Sequence, residues 1–367
     1  MFYCKKCVTP STRPRVTFDK NGVCNACNWN TEKAIINWEE KREHLEEVCN
    51  LFRRRNYWDV IVPCSGGKDG SYVAWKLKHE FGMHPLCVTF SPPLQTELGR
   101  KNLEAFRNSG FTLLEIRPNP DVYRKLCKRL FIEQARSKFP FVIGIATSVM
   151  KIALHFHIPF IMWGEEGETE YGGAGQHKDD MFMTYDYMIN YYHEGIKIAE
   201  YINNGFLKQE LWWWLLPEKD KINEELRQTW WSKWEPWDDQ LHRNLAIEKC
   251  GLTLSTTQTG TFTNYAQLDD ILQDLHVYEG FIKYGHGRAT GDCNLAIHAG
   301  RMSRETAVKI VKEKDGVFPI QYLAEYLNFF DMSEAVFWKT IDRHANKTIL
   351  TRTDDKNRPW IVKEPIC

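Results

Sequence analysis

Short apolar runs alternate with helical patterns through the first half of the chain. Residues 60–62 (Val-Ile-Val) form a β-branched run that is typical of a buried strand. From Gly70 onward apolar residues recur on one helical face, at Val73, Ala74, Leu77 and Phe81. Three more apolar runs predict strands, at residues 85–90, 111–116 and 160–163. Strands that alternate with helices predict an α/β fold, a doubly wound parallel sheet with helices on both faces.

The segments between and after these strands predict helices. A connecting helix is expected over residues 31–56, and helical patterns follow up to residue 109 and at 126–139, 143–157, 242–251 and 264–284. Ser303 and Ser333 are typical N-caps of two more helices, which end near Lys314 and His344. The polar tail from Thr351 is expected to be loosely held. We predict an N-terminal module (1–30), an α/β domain (31–200) and a mostly helical C-terminal region (201–367).

Composition narrows the possible functions. The 367 residues include 48 basic and 48 acidic side chains, so the formal net charge is +0. This balance removes the general attraction to nucleic acid that a basic protein has. Apolar stretches are too short to span a membrane, and the N-terminus lacks the pattern of a signal peptide. We therefore expect a cytoplasmic protein that binds neither nucleic acid nor membrane, with cysteines that are not in disulfides.

Two pairs of cysteines predict a metal site at the N-terminus. Cys4 and Cys7 form one C-x-x-C pair, and Cys24 and Cys27 form another. The segment between them has little apolar content and cannot bury enough surface to fold alone. Four thiolates at this spacing hold zinc in a closed tetrahedral site, and an iron–sulfur cluster is the alternative. Such a site has no open position, so we expect it to be structural.

The loop after the first strand predicts a phosphate site. Backbone N–H groups of Ser65, Gly66 and Gly67 can approach an anion closely, and the following helix N-terminus adds partial positive charge. Lys68 adds a full charge, and Asp69 could hold Mg²⁺ between two phosphates. A bare Gly-Gly pair can also be only a tight corner. Cys64 precedes the loop, where it is either an activated thiol or a small residue packed at the strand–loop junction.

Two further segments carry charge next to glycines. Residues 164–173 hold four carboxylates and four glycines just after a predicted strand, which suits Mg²⁺ or a substrate, although a solvated acidic loop is the alternative. The members expected to bind are Gly164, Glu165, Glu166, Tyr171, Gly172 and Gly173. Residues 283–290 place Lys283 and Arg288 beside glycines, as an anion clamp or an ordinary turn between helices. The tryptophans of residues 201–260 either pack in the core or form a groove or partner face.

Taken together, these segments resemble a known family. The loop Ser-Gly-Gly-Lys-Asp is similar to the SGG-x-D-S loop of the PP-loop ATP-pyrophosphatase superfamily, although Gly70 replaces the usual serine and Ser71 follows one place later. The cysteine pairs, WGEEGETEYGG, GTFTNYAQLDD and the stretch from KYGHGRATGDC to KEKDG resemble the N-acetyl sugar amidotransferases of the WbpG/PseA type. The similarity runs from Cys4 to about Gly316.

The resemblance implies a fold, a reaction and partners. The fold would be PP-loop or HUP-like, and the reaction would use ATP, Mg²⁺ and ammonia to convert an acetamido group of a nucleotide sugar into an acetamidino group. Lys68, Asp69, Lys283 and Arg288 would be catalytic. ATP would contact Ser65 to Asp69, Ser71, Thr89, Phe90, Gly164 and Glu165. Thr89 and Phe90 occupy the adenosine position of the superfamily, although Phe90 also suits a core. Ammonia would come from a separate HisH-like glutaminase with a HisF-like carrier, because the chain starts Met1-Phe2 and has no N-terminal cysteine nucleophile.

Two other functions remain open from the sequence. A tRNA-thiolating PP-loop enzyme would use a cysteine or an iron–sulfur cluster and would need a basic surface, which the net charge does not favour. A non-catalytic zinc-ribbon interaction protein would have a degenerate nucleotide fold, whereas the Ser-Gly-Gly-Lys-Asp loop is intact here. His155 and His157 are two residues apart at the end of a helix and face different directions, so no metal is assigned to them.

Overall fold

A parallel five-stranded sheet forms the centre of the molecule. The computed structural model describes residues 1–257 and 259–367. The sheet order is β3-β2-β1-β4-β5, and every neighbouring pair is parallel. The strands are β1 (Val60–Pro63), β2 (Pro85–Phe90), β3 (Thr112–Ile116), β4 (Phe160–Trp163) and β5 (Arg227–Trp230). The order reverses direction between β1 and β4, so a crevice opens there at the carboxyl ends of the strands.

Helices cover both faces of this sheet, which confirms the predicted α/β fold. The helices are α1 (Asn25–Lys33), α2 (Trp38–Phe52), α3 (Lys68–His79), α4 (Glu97–Asn108), α5 (Pro120–Gln134), α6 (Phe139–His155), α7 (Gly167–Glu170), α8 (Tyr185–Tyr187), α9 (Asp239–Cys250), α10 (Leu272–Tyr284), α11 (Arg288–His298), α12 (Arg304–Lys314), α13 (Leu323–Phe330) and α14 (Glu334–His344). Among the helices of the described residues, none combines the length and the apolar character needed to cross a lipid bilayer.

Successive residues of β1 serve two separate cores. Ile61 belongs to the larger core, which includes the apolar faces of α5, α6, α10, α13 and α14. Val60 and Val62 belong to the other core, with side chains of α2, α3 and α9. All three strand residues are almost fully buried. This alternation is what a strand with helices on both faces requires, because its side chains point to opposite faces in turn.

The fifth strand comes from the tryptophan-rich region, where the sequence pattern gave no strand. β5 pairs with β4 through Trp163 and Trp230, so the sheet extends past the predicted boundary at residue 200. The division of the chain into three domains otherwise stays a prediction. Most of the tryptophans in this region are core residues: Trp214, Trp230, Trp231 and Trp234 are almost fully buried. Trp212 is about half exposed and belongs to the surface.

Four predicted elements differ from the structure. The pattern over residues 264–284 predicted one helix, but α10 begins only at Leu272. Residues 31–56 form parts of two helices, and α2 buries Leu45 and Val48. The helix predicted to reach residue 139 ends at Gln134, because Ala135 takes a left-handed conformation. The tail is not loose, since β6 (Leu350–Arg352) and β7 (Trp360–Val362) form an antiparallel hairpin with Trp360 buried.

Candidate functional site

A cavity of about 240 Å³ lies beyond the carboxyl ends of β1 and β4. The loop after β1 forms part of its lining, and residues 265–269 and Arg288 form another part. Its lining residues are Ser65, Gly66, Gly67, Lys68, Asp69, Gly70, Gly99, Asn102, Glu165, Tyr171, Tyr265, Ala266, Gln267, Leu268, Asp269, Gln273 and Arg288. The cavity therefore collects residues from three segments that the sequence singled out separately. It occupies the crevice where ligands bind in open α/β sheets.

The loop conformation requires glycine at two positions. Gly66 has φ of +80°, and a Cβ there would lie 2.6 Å from the backbone nitrogen of Leu103. A Cβ at Gly70 would lie 2.7 Å from the carbonyl oxygen of Pro63, which explains why glycine replaces the serine of the superfamily pattern. Gly67 is the N-cap of α3 and supplies no side-chain cap. The first N–H groups of α3 are thus left for a ligand at the cavity.

Lys68 and Asp69 lie at the first turn of α3 and form an ion pair with each other. The Nδ1–H group of His242, on α9, donates a 3.0 Å hydrogen bond to Oδ1 of Asp69. Burial disfavours the ionised Asp69 carboxyl, but Lys68 and His242 together hold its pKa below the usual range. Lys68 is itself mostly buried and lies 5.9 Å from the Trp237 ring centroid. The cavity thus contains a fixed carboxylate beside a fixed ammonium group.

Glu165 is the carboxylate of the acidic loop that lines the cavity. Burial, and then the charge of Asp69, raise the pKa of Glu165. Gly164 lies next to Asp69, as shown by the distance of 3.7 Å between a Cβ built on Gly164 and the Cβ of Asp69. The close approach of the loop after β4 to the start of α3 places two carboxyl groups at the same cavity. Two such oxygens are suitable ligands for Mg²⁺.

The other carboxylates of this loop have structural partners. Glu166 caps α7 and accepts hydrogen bonds from Thr169 and Tyr187, so it is turned away from the cavity. Glu168 pairs with Arg15 at 2.5 Å, and Glu170 pairs with Lys33 at 2.6 Å. The alternative of a solvated acidic loop is therefore wrong, and so is metal binding by most of its carboxylates. Tyr171 lines the cavity and is the second loop side chain to do so.

Arg288 and Lys283 have different positions. Arg288 begins α11 and lines the cavity, and Asp292 accepts a 2.8 Å hydrogen bond from its Nε. The charge of Asp292 raises the pKa of Arg288, so the guanidinium stays charged. Lys283 instead donates hydrogen bonds to the carbonyls of Gln134 and Ala135, at the end of α5. Its predicted catalytic role is not supported. The ammonium group is hydrogen-bonded to carbonyl groups at the end of α5, and Lys283 is not among the residues that line the cavity.

Six more predicted residues do not line the cavity, and one of them, Gly164, lies beside Asp69 without being part of the lining. Ser71 is fully buried with its hydroxyl 4.0 Å from the thiol of Cys64. Phe90 packs edge-on against Tyr123 and Trp214 in the core, which decides the alternative left open by the sequence. The remaining three are Thr89, buried in β2, and Gly172 and Gly173, which lie against Asn25 of the N-terminal segment.

The thiol of Cys64 is also unavailable for chemistry. Its side chain is almost fully buried, and burial raises its pKa to about 12. A reactive cysteine needs exposure and a lowered pKa. Cys64 therefore packs at the strand–loop junction.

Two groups at the cavity were missed by sequence reasoning. His242 was assigned only to a helix, since a single histidine carries no pattern that would connect it to Asp69. Residues 265–269 were expected to be helical, whereas the backbone there is irregular and forms a cavity wall. Gln267 in this segment has φ of +58°, a conformation that is uncommon for residues other than glycine. The motif GTFTNYAQLDD was recognised, but no chemistry was assigned to it.

The four N-terminal cysteines come together as predicted. All four are buried, and their sulfur atoms lie within 4.8 Å of one another. Backbone N–H groups of Lys6 and Cys24 donate hydrogen bonds of 3.4 and 3.3 Å to the sulfur of Cys4. Such donors stabilise thiolates. The cluster can therefore hold zinc, for which four thiolates are a complete tetrahedral set.

The N-terminal module also contacts two walls of the cavity. Ion pairs from Arg15 of the module and from Lys33, at the end of the adjoining helix α1, hold the acidic loop that carries Glu165. On the other side, the N–H of Val8 donates a 3.1 Å hydrogen bond to Asn294 on α11, the helix that begins with Arg288. The amide of Asn294 donates in turn to the hydroxyl of Thr9 at 2.8 Å. The cysteine cluster thus supports cavity residues from a distance.

Comparison with known proteins finds a family similarity for the C-terminal region. Residues 259–363 match the family described as LPS biosynthesis protein WbpG-like, C-terminal domain. This region is similar to a WbpG-like domain. The match confirms the predicted resemblance to WbpG-type proteins. The matched region contributes residues 265–269 and Arg288 to the cavity lining.

Two further similarities are more limited. An uncharacterized protein of Methanocaldococcus jannaschii is 31% identical over 87 residues, which is 23% of this chain and 31% of that protein. The match therefore spans less than one third of this relative. A solved structure from the same organism, titled as a predicted subunit of tRNA methyltransferase, aligns with 64% of this chain and 92% of its own. Its TM-score is 0.31 at 14% identity, a likeness that supports no conclusion about function.

Proposed function

We propose that the protein is an ATP-dependent amidotransferase that converts the acetamido group of a nucleotide-linked N-acetyl sugar into an acetamidino group. The observation that carries this proposal is one cavity formed by the Ser65–Asp69 loop and the WbpG-like domain. The loop suits phosphates, and the WbpG-like domain belongs to a family of lipopolysaccharide biosynthesis. Acetamidino sugars of this kind would be used in surface polysaccharide or flagellin glycans.

The reaction would take place in two steps, adenylation of the acetamido oxygen and displacement of AMP by ammonia. The acetamido oxygen attacks the α-phosphorus of the co-substrate ATP, and the bond from that phosphorus to the bridging oxygen breaks, which releases pyrophosphate. Ammonia then attacks the imidate carbon, and the carbon–oxygen bond breaks so that AMP leaves with the oxygen. The nitrogen loses a proton to complete the amidine. Activation is needed because an amide oxygen is a very poor leaving group.

The loop residues would bind the phosphates. The first N–H groups of α3 have no side-chain cap and belong to residues that line the cavity, and no side chain at Gly66 or Gly67 blocks their approach to a phosphate. Lys68 and Arg288 both line the cavity, so they would neutralise charge that grows on departing pyrophosphate. These positive groups are fixed by Asp69 and Asp292 before any substrate arrives. Such preorganisation is the main source of electrostatic catalysis.

The carboxyl groups of Asp69 and Glu165 would hold Mg²⁺. Both line the cavity, and His242 keeps Asp69 in place and ionised. When bound, the ion would neutralise charge on adjacent phosphate oxygens. The zinc cluster would have a structural role, since it is closed and is not part of the cavity lining. Ammonia would be supplied by a HisH-like glutaminase through a HisF-like carrier, as the WbpG-type resemblance implies.

The alternative of tRNA thiolation has less support. Such an enzyme needs an accessible sulfur, but the described cysteines are buried apart from Cys367, and none of them lines the cavity. The balanced net charge also offers no general attraction to RNA. A non-catalytic interaction protein would not need Lys68, Asp69, Glu165 and Arg288 around one cavity.

Mass spectrometry tests the proposal directly. The zinc-loaded protein would be incubated with ATP, Mg²⁺, ammonium and a panel of nucleotide-linked N-acetyl and diacetamido sugars. We expect one of these sugars to become lighter by the difference between O and NH, with one AMP formed per product molecule. An Arg288→Met variant provides the matched control and should form little product. Unchanged masses across the panel, without sugar-dependent AMP, would reject the proposed function.

A further inference from the structure

A second cavity of about 480 Å³ adjoins the first. The two cavities share Gln267 and Leu268 in their walls. The other lining residues of the second cavity are Thr96, Leu98, Ser255, Thr257, Thr259, Thr261, Asp274, Gln321 and Tyr322. A molecule in the second cavity would therefore have the groups of the first cavity directly beyond Gln267.

The lining of the second cavity is polar but almost uncharged. Hydroxyl and amide groups dominate, and within the described lining Asp274 is the one ionisable carboxyl and no lysine or arginine is present. Phosphates are bound by cations and by helix N-termini, so an anionic ligand does not suit these walls. A neutral molecule with many hydroxyl groups suits them, because each hydroxyl can both donate and accept.

Some of the polar groups have partners, and others are available. The hydroxyls of Thr96 and Thr261 are engaged by Leu268 and Asp292. Gln321 donates a 2.5 Å hydrogen bond to the hydroxyl of Thr259. Within the part of the chain that the structure describes, the Tyr322 hydroxyl has no hydrogen-bond partner. The second cavity thus offers the hydroxyl of Tyr322 to a ligand. It also contains the amide of Gln321 and the hydroxyl of Thr259, which are hydrogen-bonded to each other.

The sizes of the cavities also suit one ligand-binding site with two compartments. At about 240 Å³, the first cavity is smaller than the sites of about 300–1,000 Å³ that hold small molecules. Two substrates must meet for amide adenylation, so a second compartment is needed next to the phosphate loop. Gln267 stands at the junction with positive φ, a costly conformation that is often retained at functional sites.

We propose that the second cavity holds the sugar ring of the acceptor, with its acetamido group extending past Gln267 into the first cavity. This inference rests on the proposed function and adds the place where the acceptor binds. The nucleoside diphosphate part of the acceptor lies outside the second cavity, because the described residues of its walls include no lysine or arginine. Tyr322 and Gln321 contact ring hydroxyls and act in specificity.

A bulky side chain at Thr257 tests the inference. Thr257 is exposed at the cavity wall, and its contacts with Ser255 use its own backbone N–H and carbonyl groups. Thr257→Trp therefore fills the cavity without removing a side-chain hydrogen bond. Thr351→Trp, on the exposed face of β6, is the matched control for an added tryptophan. Tyr322→Phe removes only the free hydroxyl.

Two readouts separate this inference from the proposed function. Binding of N-acetylglucosamine to the zinc-loaded full chain is followed by saturation-transfer NMR, which needs no activity. We expect a signal with the parent and with Thr351→Trp, and its loss with Thr257→Trp. In the amidination assay, the acceptor KM should rise by about tenfold or more in Thr257→Trp and by a few-fold in Tyr322→Phe, with the KM for ATP unchanged.

The outcomes are distinct. No binding to the parent, or equal binding to the parent and Thr257→Trp, overturns the sugar site, even if the parent forms amidine. Loss of binding in Thr257→Trp with no amidine formed by the parent supports a sugar site and rejects the proposed reaction. An increase in KM for ATP equal to that for the acceptor would place Thr257→Trp damage in the first cavity and overturn the assignment of the second.

Discussion

The Nδ1–H group of His242 donates a 3.0 Å hydrogen bond to Oδ1 of Asp69, across 173 residues of sequence. His242 is fully buried, with its ring stacked at 4.0 Å on Tyr72 and edge-on at 4.2 Å to Trp237. The imidazole can therefore not turn away from the carboxylate. This contact connects α9 with the first turn of α3 and fixes the group proposed to hold Mg²⁺.

Replacement of His242 should reduce activity through Asp69. His242→Phe keeps an aromatic ring between Tyr72 and Trp237 but removes the donor, whereas His242→Asn keeps a donor of similar reach. Loss of a residue that orients a metal ligand typically costs about 10–100-fold in activity or metal affinity. We expect AMP formation to fall by this amount in His242→Phe, with a higher Mg²⁺ requirement, and to fall less in His242→Asn.

Titration of AMP formation against Mg²⁺ at saturating ATP would measure this effect. Thermal unfolding of each variant serves as the control for folding. If His242→Phe kept the parent's rate and Mg²⁺ dependence, the hydrogen bond to Asp69 would have no role in the reaction.

The glycines of the loop should differ in their tolerance of a methyl group. Gly66→Ala places a Cβ 2.6 Å from the nitrogen of Leu103 at φ of +80°, so the loop or α4 must move. We expect a destabilisation of about 1–3 kcal/mol and weaker ATP binding. Gly67→Ala is the matched control, because its nearest neighbour is Ser65 Oγ at 3.5 Å. Urea unfolding would compare the two, and equal stability of both variants would contradict the loop conformation.

Loss of the cysteine cluster should damage a cavity that it does not line. Cys24→Ser removes one of four sulfur ligands, so the variant should bind less than the parent's expected zinc content of about one per chain. The N-terminal module and α1 would then release the acidic loop that Arg15 and Lys33 hold through ion pairs. We expect lower thermal stability and lower AMP formation. Cys367→Ser, at an exposed thiol, is the control, and full activity of zinc-free Cys24→Ser would contradict the structural role.

Asp274 should make stability depend on pH. Burial raises the pKa of this carboxyl from 3.8 to about 7, against the opposing hydrogen bond from Gln267. The folded protein therefore holds this proton more tightly than the unfolded chain does. The stabilisation is complete below the unfolded pKa and is lost as the pH rises through the folded value.

Asp274→Asn should remove this dependence, because an amide does not ionise and its oxygen can still accept from Gln267. Between about pH 5 and about pH 8 we expect the parent to lose about 2 kcal/mol more unfolding free energy than the variant. Urea unfolding at several pH values would measure the difference. Parallel pH profiles for the two proteins would show that Asp274 does not retain its proton.

The sequence predicted the parts of the fold that repeat a local pattern. The β-branched run at residues 60–62 predicted a buried strand, and the structure confirms it as β1. β5 was missed because its segment, Arg227–Trp230, begins with three polar residues and lies among irregular tryptophan-rich turns. Its pairing with β4 is a tertiary contact that no local pattern contains.

The candidate site was predicted only where charge and glycine occur together. Lys68, Asp69, Glu165 and Arg288 were found in this way, and they line one cavity. Lys283 carried the same signal, but its ammonium group caps α5, a contact that only the folded chain reveals. His242 could not be found, because its importance depends on the packing of α9 against α3 and not on its own neighbours in sequence.

The most direct measurement is the rate of AMP formation by a Lys68→Ala/Asp69→Ala double variant, checked for native folding by circular dichroism and zinc content. These two side chains are proposed to bind the phosphates and Mg²⁺, so their joint loss should lower the rate by about 10³-fold or more with ATP, ammonium and the acceptor sugar present. A correctly folded double variant that formed AMP as fast as the parent would contradict amide activation at this loop.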